Sequence, residues 1–177
     1  MSGLAQHPSQ GAPARRLTIP YAVVKRSILW LLGASSGFAM IEPSPYEIAF
    51  LIALFVFALT GIRFSQKLLP LTGLLLAYNI GGIFSLIPWM DEPASVRFTA
   101  VSVYLMITSL FFAAIMAEDA VARLDALMKG YLFAAWYAGV AGILGYFNVA
   151  GLGEIFTLYG RASGTFKDAN VLGPFLV

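Results

Sequence analysis

The stretch Leu158–Val177, LYGRASGTFKDANVLGPFLV, concentrates the groups that could do chemistry. Arg161 and Lys167 bracket Ser163, Gly164 and Thr165, and Asp168 and Asn170 then lead into an apolar run. Asp168 or Asn170 can cap a helix starting there, with Pro174 in or near its first turn. A helix N-terminus offers free backbone N–H groups and partial positive charge. A guanidinium grips phosphate oxygens through two parallel hydrogen bonds, and an ammonium adds a point charge. Together these residues have the makings of an anion site. They equally fit a capped loop whose basic side chains rest on lipid headgroups, and the capping role holds under either reading.

Other chemistry is excluded by residue type. The chain has no Cys, so it builds no disulfide, iron–sulfur or thiolate–metal site, and no cofactor is expected. Its single histidine, His7, lies in a polar N-terminal stretch and reads as a solvated tail residue. A net charge of +2 is too weak a signal for nucleic acid as a partner.

The elements that must position the anion-binding residues are written in long apolar blocks. Only 11% of residues are charged against 59% hydrophobic, and mean hydropathy is +0.81. A soluble domain carries about 25% charged residues. Lipid, not water, is the solvent these blocks require. Residues 1–20 read as a disordered tail. Uncharged segments follow at Ser27–Ile41, Ile48–Ile62, Leu68–Met90, Phe98–Ala117 and Gly130–Gly153. The last three reach the ~20 residues that a bilayer core of ~30 Å needs. The first two are shorter and need their flanks. Lys25 and Arg26 can snorkel, letting Tyr21–Val24 join the first span. Glu42-Pro43-Ser44-Pro45 reads as a tight turn within a helical hairpin, with a re-entrant pair as the alternative. A cleaved leader is disfavoured, because the region before the first apolar block is long and contains prolines.

The expected fold is all-α: a polytopic transmembrane helix bundle of five complete spans plus the start of a sixth. The spans fall at about 21–41, 46–63, 68–88, 98–117 and 130–149, with an incomplete one at 171–177 and a loop at 150–170 between the last two. Glu118–Lys129 reads as an amphipathic connector helix with Val121, Leu124 and Leu127 on its apolar face. Asn79, beside Gly81 and Gly82, suggests close helix packing or a kink. Trp30, Tyr46 and Trp89 sit near span ends as interfacial anchors. Alternate connections carry eight and three basic residues. The richer side is cytoplasmic, so the N-terminus is cytoplasmic and the loop around Arg161 faces outward, across a bacterial inner membrane.

The run Arg161-Ala-Ser-Gly164-Thr165-Phe166-Lys167-Asp168-Ala-Asn170, entering an apolar helix, resembles the O-antigen ligase and O-antigen polymerase superfamily, which includes exopolysaccharide polymerases. The family pattern is roughly Arg-x-x-Gly-Thr-Phe-x-(Asp/Asn)-Pro-Asn, and the preceding layout of short hairpin, spans and charged helix is similar. Ala169 stands where the family usually has Pro. The resemblance implies a GT-C-type membrane glycosyltransferase that works without metal. It would ligate or polymerise saccharides carried on undecaprenyl diphosphate at the periplasmic face, among membrane lipids. Arg161 would be its catalytic residue and, with Lys167, would hold the lipid diphosphate. Gly164 would allow close backbone approach, and Thr165 and Asn170 would donate hydrogen bonds to sugar or phosphate. The family's later spans and their histidine and arginine residues are missing after Val177, so this stretch is expected to be an inactive N-terminal part that depends on a C-terminal half of the same protein. The reading from a different class is a non-enzymatic transporter or polysaccharide-assembly subunit whose basic outer loop merely binds headgroups.

Overall fold

A computed structural model describes residues 21–177. The expectations for the tail, including His7, fall outside those residues. Five helices make up most of the described chain: α1 (Tyr21–Ser35), α2 (Pro45–Leu59), α3 (Leu69–Leu86), α4 (Pro93–Met116) and α5 (Ala120–Tyr146). After them come a short helix α6 (Gly153–Phe156), a two-stranded hairpin of β1 (Thr157–Leu158) and β2 (Arg161–Ala162), and α7 (Ala169–Leu176).

Three helical stretches are long and apolar enough to cross a membrane: Gln66–Trp89, Pro93–Met116 and Ala120–Tyr146. α1 and α2 have 15 residues each. At 1.5 Å per residue that is roughly 22 Å, short of a ~30 Å core. The membrane character is also visible on α3, where only 6% of the most apolar window is buried within the protein. Leu74 and Phe84 point outward there, as side chains facing lipid do.

Packing explains two departures from the sequence reading. The first expected span ran to Ile41, but α1 ends at Ser35. Residues 36–44 leave the helix because their backbone pairs elsewhere: Ala39 bridges Phe166 in a parallel β-contact. α2 then starts at Pro45 behind Ser44, whose N–H is held by the Glu47 carboxylate at 3.1 Å. The second departure is that the amphipathic connector and the fifth span form one continuous 27-residue helix. Gly130 does not break it. The small residues Ala126, Gly130, Ala134, Ala138 and Gly142 recur every four positions on α5, and all are buried. This stripe lets the α1 backbone lie directly against it. A Cβ on Gly130 would run into the Trp30 carbonyl, and one on Gly33 into the Leu127 carbonyl. Small residues at such spacing are how helices associate where lipid removes the hydrophobic drive.

The largest apolar cluster joins α1, α2, α4 and α5. Leu29, Leu32, Phe50, Ala53, Phe57, Phe111 and Ile115 are all nearly inaccessible. Phe50 and Phe57 each meet Phe111 edge to face, with centroids 5.4 and 5.6 Å apart. Such pairs add about 0.5–1.5 kcal/mol beyond burial. α3 leans on α4, where the Ser102 hydroxyl donates to Asn79 Oδ1 at 3.0 Å and Asn79 Nδ2 donates to the Leu75 carbonyl. Asn79 thus serves packing between helices.

Candidate functional site

The segment 157–170 is a compact structure pinned on three sides. β1 and β2 pair antiparallel with Leu158 opposite Arg161. Tyr159 and Gly160 form the two-residue turn between them, with φ of 52° and 73°. Positive φ at both turn residues matches the twist of a hairpin. The sequence reading took this stretch as loop.

Beyond β2 the chain dives against α5 and the end of α1. Ser163, Thr165 and Phe166 are buried. The N–H groups of Ser163 and Gly164 both donate to the Phe156 carbonyl, at 2.9 and 3.1 Å. The Ala39 N–H donates to the Thr165 carbonyl at 2.9 Å. The Thr165 hydroxyl donates to the Gly37 carbonyl, and the Tyr137 hydroxyl donates to the Ala34 carbonyl at 2.9 Å. The bonds of Thr165 with Ala39 and Gly37 stitch the motif to the stretch that follows α1, across up to 128 residues of sequence.

The candidate residues divide into two groups by placement. Thr165 and Gly164 face inward. Thr165's proton is given to Gly37, and Gly164, at φ 57°, lies against Ala138 of α5. Arg161, Lys167 and Asn170 are exposed. Lys167 Nζ donates to Glu42 Oε1 at 2.6 Å, tying the motif to the turn before α2. That hydrogen bond and the ammonium charge hold the Glu42 carboxyl below the usual carboxylate range, with Arg97 adding to the effect. Arg161 forms no ion pair or side-chain hydrogen bond among the described residues. Glu42 was not foreseen as part of the site, since nothing in linear sequence links it to Lys167 across 125 residues.

The start of α7 is capped, as the spacing suggested. Asp168, not Asn170, is its cap, and its carboxylate accepts the Asn170 N–H at 2.8 Å. The carboxylate already fills the place an external anion would take. Pro174 lies in the second turn of α7, where it cannot donate to the Asn170 carbonyl. The chemistry left open by this arrangement is that of the Arg161 guanidinium, unpaired among the described residues on a braced hairpin, and of the exposed amide of Asn170. No group of three or more metal-binding side chains occurs among the described residues.

The fold is that of a mostly helical protein with exposed apolar faces and three helices long and apolar enough to cross a membrane. Comparison of the chain with protein-family models, curated proteins and solved structures returned no match.

Proposed function

We propose that this chain is the N-terminal part of a membrane glycosyltransferase that ligates or polymerises polyprenyl-diphosphate-linked saccharides, as the motif's resemblance implies. The supporting observation is Arg161. It is exposed and has no ionic partner among the described residues, whereas Lys167 is taken by Glu42 and the α7 terminus by Asp168. It stands on a hairpin whose base is held by hydrogen bonds from the buried Ser163 and Gly164, so the backbone that carries it is set before a ligand arrives. A guanidinium there would neutralise charge developing on a departing diphosphate. Lys167, released from or shared with Glu42, would add the second positive charge, and Asn170 a hydrogen bond.

In this reading α1 and α2 complete their crossings through snorkelling flanks, α3 to α5 cross outright, and α7 begins a sixth span. The N-terminus is cytoplasmic and Arg161 periplasmic in a bacterial inner membrane. The in-span polar side chains Asn79, Thr108 and Ser102 have partners within the helices, which favours packing over a transport path.

The test is Arg161→Ala, with Arg161→Lys beside it, in the full-length protein. Loss of one charge-stabilising donor costs about 10²–10³ in rate. Polymer or ligated product should fall by that order in R161A, less in R161K, with membrane insertion and protein level unchanged. Normal surface polysaccharide in R161A rejects the proposal.

A further inference from the structure

At the end of the molecule away from Arg161, the start of α1, the connection after α2 and the α4–α5 corner surround an open cleft of about 880 Å³. Its lining includes Lys25, Arg63, Phe64, Ser65, Glu118 and Arg123. Arg123 is the built part. It is 8% exposed, with its guanidinium donating to the Ile115 carbonyl and to Glu118 Oε2, the latter at 2.6 Å. It also lies over the buried Phe57 ring, 5.4 Å from the centroid. Arg26 pairs with Asp119 at 3.3 Å.

Each carboxylate therefore has a close cation, and two cations are left over. Arg63 reaches Glu118 only at 3.9 Å, on a carboxylate Arg123 already holds. Lys25 has no ion pair among the described residues, and its ammonium stands over Phe57, 5.2 Å from the centroid. The C-terminal ends of α2 and α4, at Thr60 and Ala117, also face the cleft. Each brings roughly half a negative charge. The starts of α1 and α5 at the same cleft offset these, so the two surplus cations leave it net positive. It also opens where the apolar surface of α3 begins, beside the exposed Phe64.

We infer that this cleft binds a phosphate group, that of an anionic phospholipid headgroup, between Lys25 and Arg63, with Arg123 as the fixed floor. Phe64 and the start of α3 then lie alongside the acyl chains. The site holds the short helices α1 and α2 at the membrane face from which Arg161 is absent, so it is independent of the glycan chemistry above.

Thermal melting of the full chain in neutral detergent tests this, with added phosphatidylglycerol, phosphatidylcholine or inorganic phosphate. Lys25→Gln, Arg63→Gln and the double variant are compared with Arg97→Gln, an exposed arginine at the opposite end. Each surface cation contributes about fivefold to anionic-lipid affinity. Phosphatidylglycerol should raise the melting temperature where phosphatidylcholine does not. Its half-saturating concentration should rise about fivefold in each single variant and about 25-fold in the double variant, with R97Q unchanged. Stabilisation by inorganic phosphate, lost in the same variants, would keep the phosphate site and make its source a soluble anion. Equal stabilisation of the double variant and the unsubstituted chain, or no stabilisation by either anion, overturns the inference.

Discussion

At Gly164 the backbone holds φ at 57°, and a Cβ built there would lie 2.8 Å from the Ala138 carbonyl and 3.2 Å from Leu172 Cδ1. Two costs meet at one atom. An L-residue in the left-handed region costs roughly 1–2 kcal/mol, and the backbone carbonyl of α5 cannot move aside without shifting the helix. Gly164→Ala should therefore lower the melting temperature, with a loss of about 2 kcal/mol or more. An unchanged melting curve would mean the loop does not press on α5 as described. Gly164 thus serves contact between loop and helix, while Arg161 and Asn170 stay exposed. Sequence spacing made all of these residues candidates. Which of them face outward depended on contacts with Gly37, Ala138 and Phe156, none of which is a neighbour in sequence.

Among the elements, the α1–α5 pair supports the motif. The motif segment rests on α5, and the stretch after α1 pairs with it through Ala39. The α1–α5 contact depends on backbone meeting backbone at Gly33 and Gly130. Gly130→Leu would force the helices apart by the width of a side chain, which overpacked sites resist at a cost of about 1–3 kcal/mol, occasionally more. The expected outcome is a destabilised chain that still inserts, with the Ala34–Tyr137 hydrogen bond lost and the motif more accessible to proteolysis between 157 and 168. Wild-type protease resistance would contradict this packing. The stripe of small residues at four-residue spacing was not singled out from the sequence, and neither was the length of α5, because the charged first turns of the helix looked like a separate connector. Ion pairs settle the matter: Arg123 with Glu118, and Lys129 with Asp125 at 2.7 Å, let those charges ride on one unbroken helix.

For the whole molecule, the two ends carry different charge architecture. One gathers Lys25, Arg26, Arg63 and Arg123 around Glu118 and Asp119. The other holds Lys167 on Glu42, with Arg97 close enough to act on the same carboxylate. Basic residues accumulate on the cytoplasmic side of bacterial inner-membrane proteins. In the proposed topology, cysteines introduced singly at Ser65 and Tyr159, in a chain that has none of its own, should label from opposite sides of the membrane. Only the Tyr159 site should react with an impermeant thiol reagent in intact cells with a permeabilised outer membrane. Labelling of both sites from one side would overturn this topology.

Residue composition alone pointed to lipid as the solvent, because 11% charged side chains fall far below the roughly 25% of a soluble domain. The positions of the long apolar helices followed with it, since a bilayer sets a minimum length that uninterrupted apolar runs either meet or miss. Where α1 stops, how the motif folds and which of its residues reach outward were decided only by tertiary contact. Those outcomes turn on backbone hydrogen bonds and on close approaches between Gly37 and Thr165, Ala39 and Phe166, and Ala138 and Gly164. Such pairings join groups more than a hundred residues apart, or a loop to a helix face, and no local periodicity encodes them.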